Sequence, residues 1–210
     1  MAKIGLTNFR YATLTEAEDG TPSYGTVYTP AKAVSCSVSM SNNSAMLYAD
    51  DSLAESDTSF NSASVSMELD KEDPQTMANL LGHSYDKSTN ALVRNTNDSA
   101  PYVGLGRIVT KMVNGVYKYT VEFLYKVKFS EPNQEDATKG ESVSFSTIKI
   151  EGSASALQNG DWSKSETFDT KSDAVAALLK LFGASVTSSP AATGTSGTSG
   201  KGTGSTSSGS

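Results

Sequence analysis

The sequence predicts a mainly β (α+β) fold of sandwich or barrel type, with a long β-hairpin and one or two short flanking α-helices. The strongest observation is the segment 107–130, in which two alternating arms meet at Asn114-Gly115. Asn-Gly supplies both positive-φ residues of a type I′ turn, which two-residue hairpins prefer. Other segments also alternate between apolar and polar residues, whereas only two short stretches have helical spacing. This balance predicts packed sheet structure.

The segments before residue 75 predict three strands and two loops. Residues 3–12 form the opening strand, and 16–30, rich in glycine and proline, form a loop. Residues 34–40 alternate apolar side chains with serine, which predicts a half-buried strand, and 64–69 repeat this pattern. The polar, acidic segment 42–59 between them is expected to be a long loop that contains at most a short strand.

Two segments contain residues that typically begin and end an α-helix. The first starts at Asp73, a favourable N-cap, continues with Pro74, which suits the first turn, and ends at Gly82. The second spans 171–182 and ends at Gly183. Both have apolar residues at three- and four-residue spacing, namely Met77, Leu80 and Leu81 in the first and Val175, Leu178, Leu179 and Phe182 in the second.

The second arm of the hairpin predicts a strand with one apolar face. Because successive side chains of a strand point to opposite faces, we expect one parity to pack on the core and the other to face water. The core-facing parity is aromatic or β-branched throughout: Tyr117, Tyr119, Val121, Phe123, Tyr125, Val127 and Phe129. The other parity includes the charged residues Lys118, Glu122, Lys126 and Lys128. A later strand, 143–150, changes parity near Thr147, which predicts a bulge.

The turn also fixes the register of the hairpin. It pairs Arg107 with Glu122, a favourable couple, and Lys111 with Lys118, a mildly unfavourable one. Like charges at a hairpin tip become favourable if an acidic segment of another copy docks there. In the same register, aromatic rings are expected to cover two strand glycines, Tyr125 over Gly104 and Phe123 over Gly106.

Composition limits the classes of function. The chain has 210 residues and predicts one domain over 1–183, because 184–210 are almost wholly Ser, Thr, Gly and Ala and predict a flexible tail. The net charge of −6 argues against a nucleic-acid ligand, since phosphate contacts need clustered Lys and Arg. We expect no membrane span and no signal peptide. The single Cys36 excludes an internal disulfide.

Catalytic or metal chemistry has little support in the sequence. His83, the only histidine, follows a predicted helix end and is expected to be a capping or surface residue. Cys36 lies on the apolar parity of its strand and is expected to be a small buried hydrophobe. We therefore expect no enzyme, no catalytic residue and no cofactor. A cluster of carboxylates lacks the spacing and central glycine of a calcium loop, so a solvated or subunit-contacting loop is expected at Asp50, Asp51, Glu55 and Asp57.

Two central blocks of the sequence are similar to one known family. They are Leu47-Tyr-Ala-Asp-Asp-Ser-Leu-Ala-Glu-Ser-Asp-Thr-Ser-Phe60, and Tyr102-Val-Gly-Leu-Gly-Arg running through Asn114-Gly-Val-Tyr-Lys to Phe129-Ser-Glu-Pro. The opening Ile4-Gly-Leu-Thr-Asn and the late Gly160-Asp-Trp fit as well. With these blocks the chain resembles, over about residues 3–182, the major tail protein (tail tube protein) family of long-tailed siphophages.

The resemblance implies a structural virion protein with a β-sandwich of tail-tube type and a flanking helix. Copies would form hexameric rings that stack into a hollow tube, through which the genome passes into the host without specific binding. The family also implies contacts with tape measure, tail terminator and baseplate proteins, assembly in the host cytoplasm and a final place in the virion tail. We expect the hairpin 107–130 to contribute to the inner wall. Subunit or ring contacts are expected at Asp50, Asp51, Glu55, Asp57, Lys111 and Lys118.

Two other classes of function are open at the level of sequence. A host-surface or carbohydrate-binding β-sandwich module would need exposed aromatic rings, for which Tyr102 and Trp162 are the candidates, although Trp162 fits the core equally well. A hydrolase would need a cleft that brings His83 to a serine and a carboxylate.

Overall fold

The computed structural model describes residues 2–30, 32–49, 52–133 and 147–183. The predicted tail 184–210 and residues 143–146 of a predicted strand lie outside this part. The described chain is mainly β, as predicted, with two short helices. Its elements are β1 (Ala2–Glu16), β2 (Pro22–Tyr24), β3 (Ala33–Ala49), β4 (Ser52–Leu69), α1 (Pro74–Leu81), β5 (Ser84–Asp86), β6 (Ala91–Val93), β7 (Tyr102–Val113), β8 (Val116–Phe129), β9 (Ile148–Ser155), β10 (Ser163–Phe168) and α2 (Lys171–Leu181).

Eight strands form one antiparallel sheet in the order β2-β1-β7-β8-β9-β4-β3, with β10 also paired to β8. The sheet curls until its two ends share one core, in which residues of β1, β4, β7, β8 and β9 pack with α1. Where the ends approach, the Arg107 guanidinium on β7 donates a hydrogen bond to Sγ of Cys36 on β3, 2.6 Å away. Strands β5 and β6 form a separate two-stranded sheet that the sequence pattern did not predict.

The apolar side chains at alternate positions of β8 pack in two different clusters. The prediction that all of them face one core was therefore wrong. Val121 and Phe123 pack beneath α2, in a cluster with Ala12, Ile108, Ala174, Leu178 and Phe182. Val127 and Phe129 instead pack in the cluster that surrounds α1. The sheet is therefore covered by apolar side chains on both of its faces.

A β-bulge opposite Gly104 causes this division. Val103 pairs with Val127 but Leu105 pairs with Leu124, so β8 has one residue more than β7 between these two pairs. The alternation of β8 reverses at the bulge and turns the later side chains to the other face. Leu124, on the parity expected to face water, packs in the α1 cluster.

The register that the turn predicts is confirmed over the tip and middle of the hairpin. Asn114 and Gly115 have φ angles of 50° and 79°, as a type I′ turn requires. From the turn, the ladder continues without a shift to Leu105. It contains both charged pairs that were predicted, Arg107 with Glu122 and Lys111 with Lys118.

An aromatic ring covers each of the two strand glycines, but only Gly106 has the partner that was predicted. Gly106 pairs with Phe123, and a Cβ at Gly106 would collide with the end of a leucine side chain in α2. Gly104 lies at the bulge, and the ring that covers it belongs to Tyr24 of β2 rather than to Tyr125. The sequence prediction placed β2 within a loop and therefore missed this contact.

Both predicted helices are confirmed, with bounds within a residue or two. The Asp73 carboxylate accepts a hydrogen bond from the Thr76 amide over 3.0 Å, and Gly82 ends α1 with a φ of 81°. Helix α2 begins after Thr170, whose hydroxyl accepts a hydrogen bond from the Asp173 amide over 3.2 Å. The buried residues of the two helices include Met77, Leu80, Leu81 and Leu178.

Gly82→Ala is expected to destabilise the protein by about 2–3 kcal/mol. Its positive φ is unfavourable for an L side chain, and a Cβ would collide with the carbonyl group of Ser99. Gly160→Ala is the matched control, because Gly160 has a φ of 90° but open space around a Cβ, so a loss of about 1 kcal/mol is expected. Urea denaturation measures both variants, and equal losses would contradict the role of Ser99.

The segment 42–59 is paired strand rather than loop, which corrects the sequence prediction. β3 and β4 pair from Asn42 opposite Phe60 to Ala49 opposite Ser52, with one register shift between Leu47 and Tyr48. The strands were missed because serine, asparagine and acidic residues have low strand propensity and obscure the alternation. The loop predicted over 16–30 likewise contains β2 and a bridge between Tyr11 and Tyr28.

Candidate subunit interface

The outer half of the β3–β4 hairpin, residues 42–49 and 52–60, forms an arm whose strands pair only with each other in the described structure. β4 pairs with β9 from Ala63 to Leu69, so the arm begins where this pairing ends. Eight residue pairs at roughly 3.3 Å per residue make the arm about 25 Å long. A two-stranded hairpin alone is marginally stable in water. Contact with another surface would therefore stabilise the arm.

Two of the four predicted acidic contacts lie on described strands of this arm. Glu55 pairs with Leu47, and Asp57 pairs with Ala45, in the β3–β4 ladder. Asp50 and Asp51 belong to the connection between the strands and lie outside the described residues. The acidic segment predicted to contact a neighbour is thus part of an extended element rather than of a loop.

The two predicted lysines belong to a row of three. Lys111 pairs with Lys118 on β8 and with Lys3 on β1, which places three lysines on neighbouring strands. Lys118 forms a salt bridge with Asp169, and Lys3 lies 3.9 Å from the Glu122 carboxylate. No residue in the described part of the chain forms a salt bridge with Lys111. Because adjacent like charges are unfavourable, an acidic group from outside would stabilise this row.

Exposed apolar side chains lie near the lysine row on the same strands, with Met112 and Tyr117 on the opposite face of the sheet. Ile4, next to Lys3, is 51% exposed, and Val116 and Tyr117 are 57% and 51% exposed at the end of the hairpin. Apolar groups exposed beside charged ones are typical of a protein-binding surface. We call these residues the tip surface: Lys3, Ile4, Lys111, Met112, Val116, Tyr117 and Lys118.

Away from its tip, two of the three cations of the hairpin, Arg107 and Lys126, are paired with acids. Nζ of Lys126 lies 2.6 Å from the Glu16 carboxylate, and this hydrogen bond holds the pKa of Glu16 below its ordinary value. Nη2 of Arg107 lies 2.6 Å from Glu122, and its Nε donates to the same oxygen over 3.0 Å. Sequence reasoning found the second pair from the register but missed Glu16, since no local pattern shows which residue of β1 approaches β8.

The two aromatic residues considered as carbohydrate platforms both have contacts within the chain. Trp162 stacks on Phe60 with ring centroids 4.4 Å apart and packs against the α1 cluster. Tyr102 is 42% exposed, but the ammonium groups of Lys126 and Lys128 lie 4.8 and 5.5 Å from its ring centroid. A groove of about 1010 Å³ crosses the serines of β3, β4 and β9, and its described lining includes no aromatic ring.

Cys36 and His83, considered above as a nucleophile and a base, both contact charged side chains. Cys36 is half-buried, and burial raises the pKa of its thiol against the opposing effect of Arg107, so the thiol remains protonated. The side chain of His83 is only 7% exposed and lies between Asp98 and Glu131. The expectation of a capping or surface histidine is therefore wrong, because the segments after β6 and β8 enclose the ring.

Neither helix of the described chain is long and apolar enough to cross a membrane. Within the ranges that the structure describes, no group of three or more His, Cys, Asp or Glu side chains could hold a metal ion. No known family model matches the chain, and no curated protein matches it.

Proposed function

We propose that this protein is the tail tube protein of a long-tailed phage, and that hexameric rings of it stack into the hollow tube that conducts the genome. The observation that carries the proposal is the arm, because strands that extend past their own sheet gain stability from a neighbouring copy. The sequence blocks that resemble the major tail protein family coincide with the arm and with β7–β8. The same resemblance implies tape measure, tail terminator and baseplate proteins as partners, assembly in the host cytoplasm and a place in the virion tail.

The arm and the tip surface are complementary in charge. Residues 42–60 contain four acidic residues and no Lys or Arg, whereas the tip surface contains three lysines. Both also carry apolar residues, such as Leu47 in the arm and Ile4 in the tip surface. Complementary charge steers and orients association, and apolar contact adds affinity. We therefore assign the arm of one copy to the tip surface of a neighbour.

The charge balance of the hairpin suits a conduit for DNA. Pairing of Lys126 with Glu16 and of Arg107 with Glu122 neutralises much of the positive charge on β7 and β8. The whole chain has a net charge of −6. Of the hairpin's cations, Lys111 and Lys128 have no acidic partner in the described structure, and Lys111 is assigned to the arm of a neighbour. A wall built from this hairpin would then offer little free positive charge to phosphate, so a duplex could pass without being held.

Electron microscopy of the purified full chain tests the proposal, and rings or tubes of uniform diameter are expected. The matched variant replaces residues 44–58 by an Asn-Gly turn between Asn43 and Ser59, which are paired in the ladder. This variant should remain a folded monomer that does not assemble, since the core clusters lie outside the deleted segment. Unchanged tubes from it would contradict the role of the arm. A full chain that stays monomeric at every concentration and binds glycans would instead support the carbohydrate-binding alternative.

A further inference from the structure

His83 lies in an enclosed charged site that the proposed function does not use. The residue follows Gly82, whose left-handed backbone ends α1 and turns the chain toward the segment after β6. Nδ1 of the ring lies 2.8 Å from Oδ2 of Asp98, and Nε2 lies 2.9 Å from Oε2 of Glu131. The imidazole therefore contacts two carboxylates from two different segments of the chain.

This geometry requires the protonated form of the ring. An ionised carboxylate only accepts hydrogen bonds, and a neutral imidazole has a single N–H to donate. A neutral ring could satisfy either Asp98 or Glu131, while its other nitrogen would place a lone pair against a carboxylate oxygen. The imidazolium ion donates to both. Burial lowers the pKa of His83, but the hydrogen bonds to the two carboxylates outweigh it and raise the pKa above its ordinary value.

The two carboxylates connect the ring to a larger network. Oδ2 of Asp98 also accepts the backbone amide of Asn95 over 2.8 Å, which closes the turn 95–98. Glu131 accepts a hydrogen bond from Nε of Arg94 over 2.8 Å, and Nη2 of Arg94 reaches Glu72 over 3.2 Å. The charged groups around His83 are thus Asp98 and Glu131 in direct contact, with Arg94 and Glu72 one step away.

We propose that His83 is a pH-operated latch, which in its doubly protonated form ties the turn 95–98 and the end of β8 to the end of α1. Loss of one proton breaks one of the two ring contacts and releases that segment. Because Arg94 still holds Glu131, the turn 95–98 is the segment that opens. The latch gives the fold a response to pH within the range in which histidine titrates.

The pKa shifts of His83 and Asp98 give the direction in which stability changes with pH. The pKa of His83 is higher in the folded protein, so its stabilisation is complete below about pH 6.5 and is lost as the pH rises through the folded value. Between these two values the opening constant rises up to about tenfold per pH unit. The pKa of Asp98 is lowered by its hydrogen bonds to His83 and Asn95. Its stabilisation is therefore present above about pH 3.9 and is lost at more acid pH.

Hydrogen exchange of the full chain, followed by mass spectrometry, measures both the pKa of His83 and the opening of the turn 95–98. The exchange rate of the imidazole C2 hydrogen gives the pKa of His83 without ambiguity, because it is the only histidine. Backbone hydrogen exchange, normalised for intrinsic rates, gives the protection of the turn 95–98. The turn closed by Asp86, which accepts the amide of Ser88 over 2.9 Å, is the internal control because it has no histidine.

We expect a His83 pKa above 6.5 and a protection of the turn 95–98 that falls with rising pH, by up to about tenfold per unit. In His83→Gln this protection should be lower at pH 6 and independent of pH, while the Asp86 turn is unchanged in both proteins. A pKa at or below 6.5 would overturn the proposal, as would the same pH profile in wild type and His83→Gln. If the variant does not fold, the wild-type pKa and the wild-type exchange profile still decide the question.

Discussion

Phe123→Ala is expected to lower the free energy of unfolding by about 3–5 kcal/mol. Phe123 is fully buried, and its ring packs edge-to-face with Phe182, centroids 4.8 Å apart, and with Tyr24, centroids 5.6 Å apart. The ring therefore joins α2 and β2 to β8. Its removal leaves a cavity between three elements, which cannot collapse unless α2 moves toward the sheet.

Tyr117→Ala is the matched control for this prediction. Tyr117 lies on the same strand and the same parity, but it is 51% exposed. A loss below about 1 kcal/mol is expected, because surface truncations remove little buried area. Urea denaturation followed by circular dichroism measures both variants in their unassembled form. Comparable losses would contradict the division of β8 into a part covered by α2 and an uncovered tip.

The elements with local signals could be predicted from sequence. The register of β7 and β8 follows from Asn114-Gly115, because a two-residue turn allows only one pairing of the arms. The bounds of α1 follow from Asp73, Pro74 and Gly82, which act within a few residues of the positions that they punctuate. These features can be predicted without knowing which residues pack against them.

The features that depend on distant parts of the chain could not be predicted. The bulge opposite Gly104 occurs where β8 pairs with both β7 and β9. A glycine within a strand is typical of bulges, but it does not show which residue of the partner strand is the extra one. The arm has the composition of a loop because its strands extend past the core and need no apolar alternation. The apolar parity of β8 also gave no indication that α2, more than forty residues later, covers part of it.

The candidate interface was predicted in part. The register found the pair Lys111 and Lys118 from the hairpin alone. Lys3 was missed because its position beside Lys111 depends on how β1 pairs with β7, and β1 has two register shifts in that ladder. Asp169 was missed because it follows β10, whose exposed side chains give no strand pattern.

Lys111→Glu is expected to abolish tube assembly and to raise the protein concentration needed for ring formation by about a hundredfold. Lys111 lies between Lys3 and Lys118 and has no salt-bridge partner in the described structure. In the proposed contact, the change replaces an attraction to the acidic arm by a repulsion. Like charges across an interface cost several kcal/mol, and about 1.4 kcal/mol is a factor of ten in the association constant. The monomer should keep or slightly raise its melting temperature, since the new carboxylate relieves the repulsion within the lysine row.

Sedimentation velocity and electron microscopy over a concentration series measure this effect, with Lys87→Glu as the control. Lys87 lies exposed in the turn between β5 and β6, so its reversal changes the net charge equally and should leave assembly intact. Adding Glu55→Lys and Asp57→Lys to Lys111→Glu should restore tubes, because the contact re-forms with its charges exchanged. Salt should weaken wild-type assembly and lessen the defect of the variant, since screening reduces both attraction and repulsion. If Lys87→Glu blocks assembly as strongly, or if the exchanged charges give no rescue, then net charge rather than contact between arm and tip surface governs assembly.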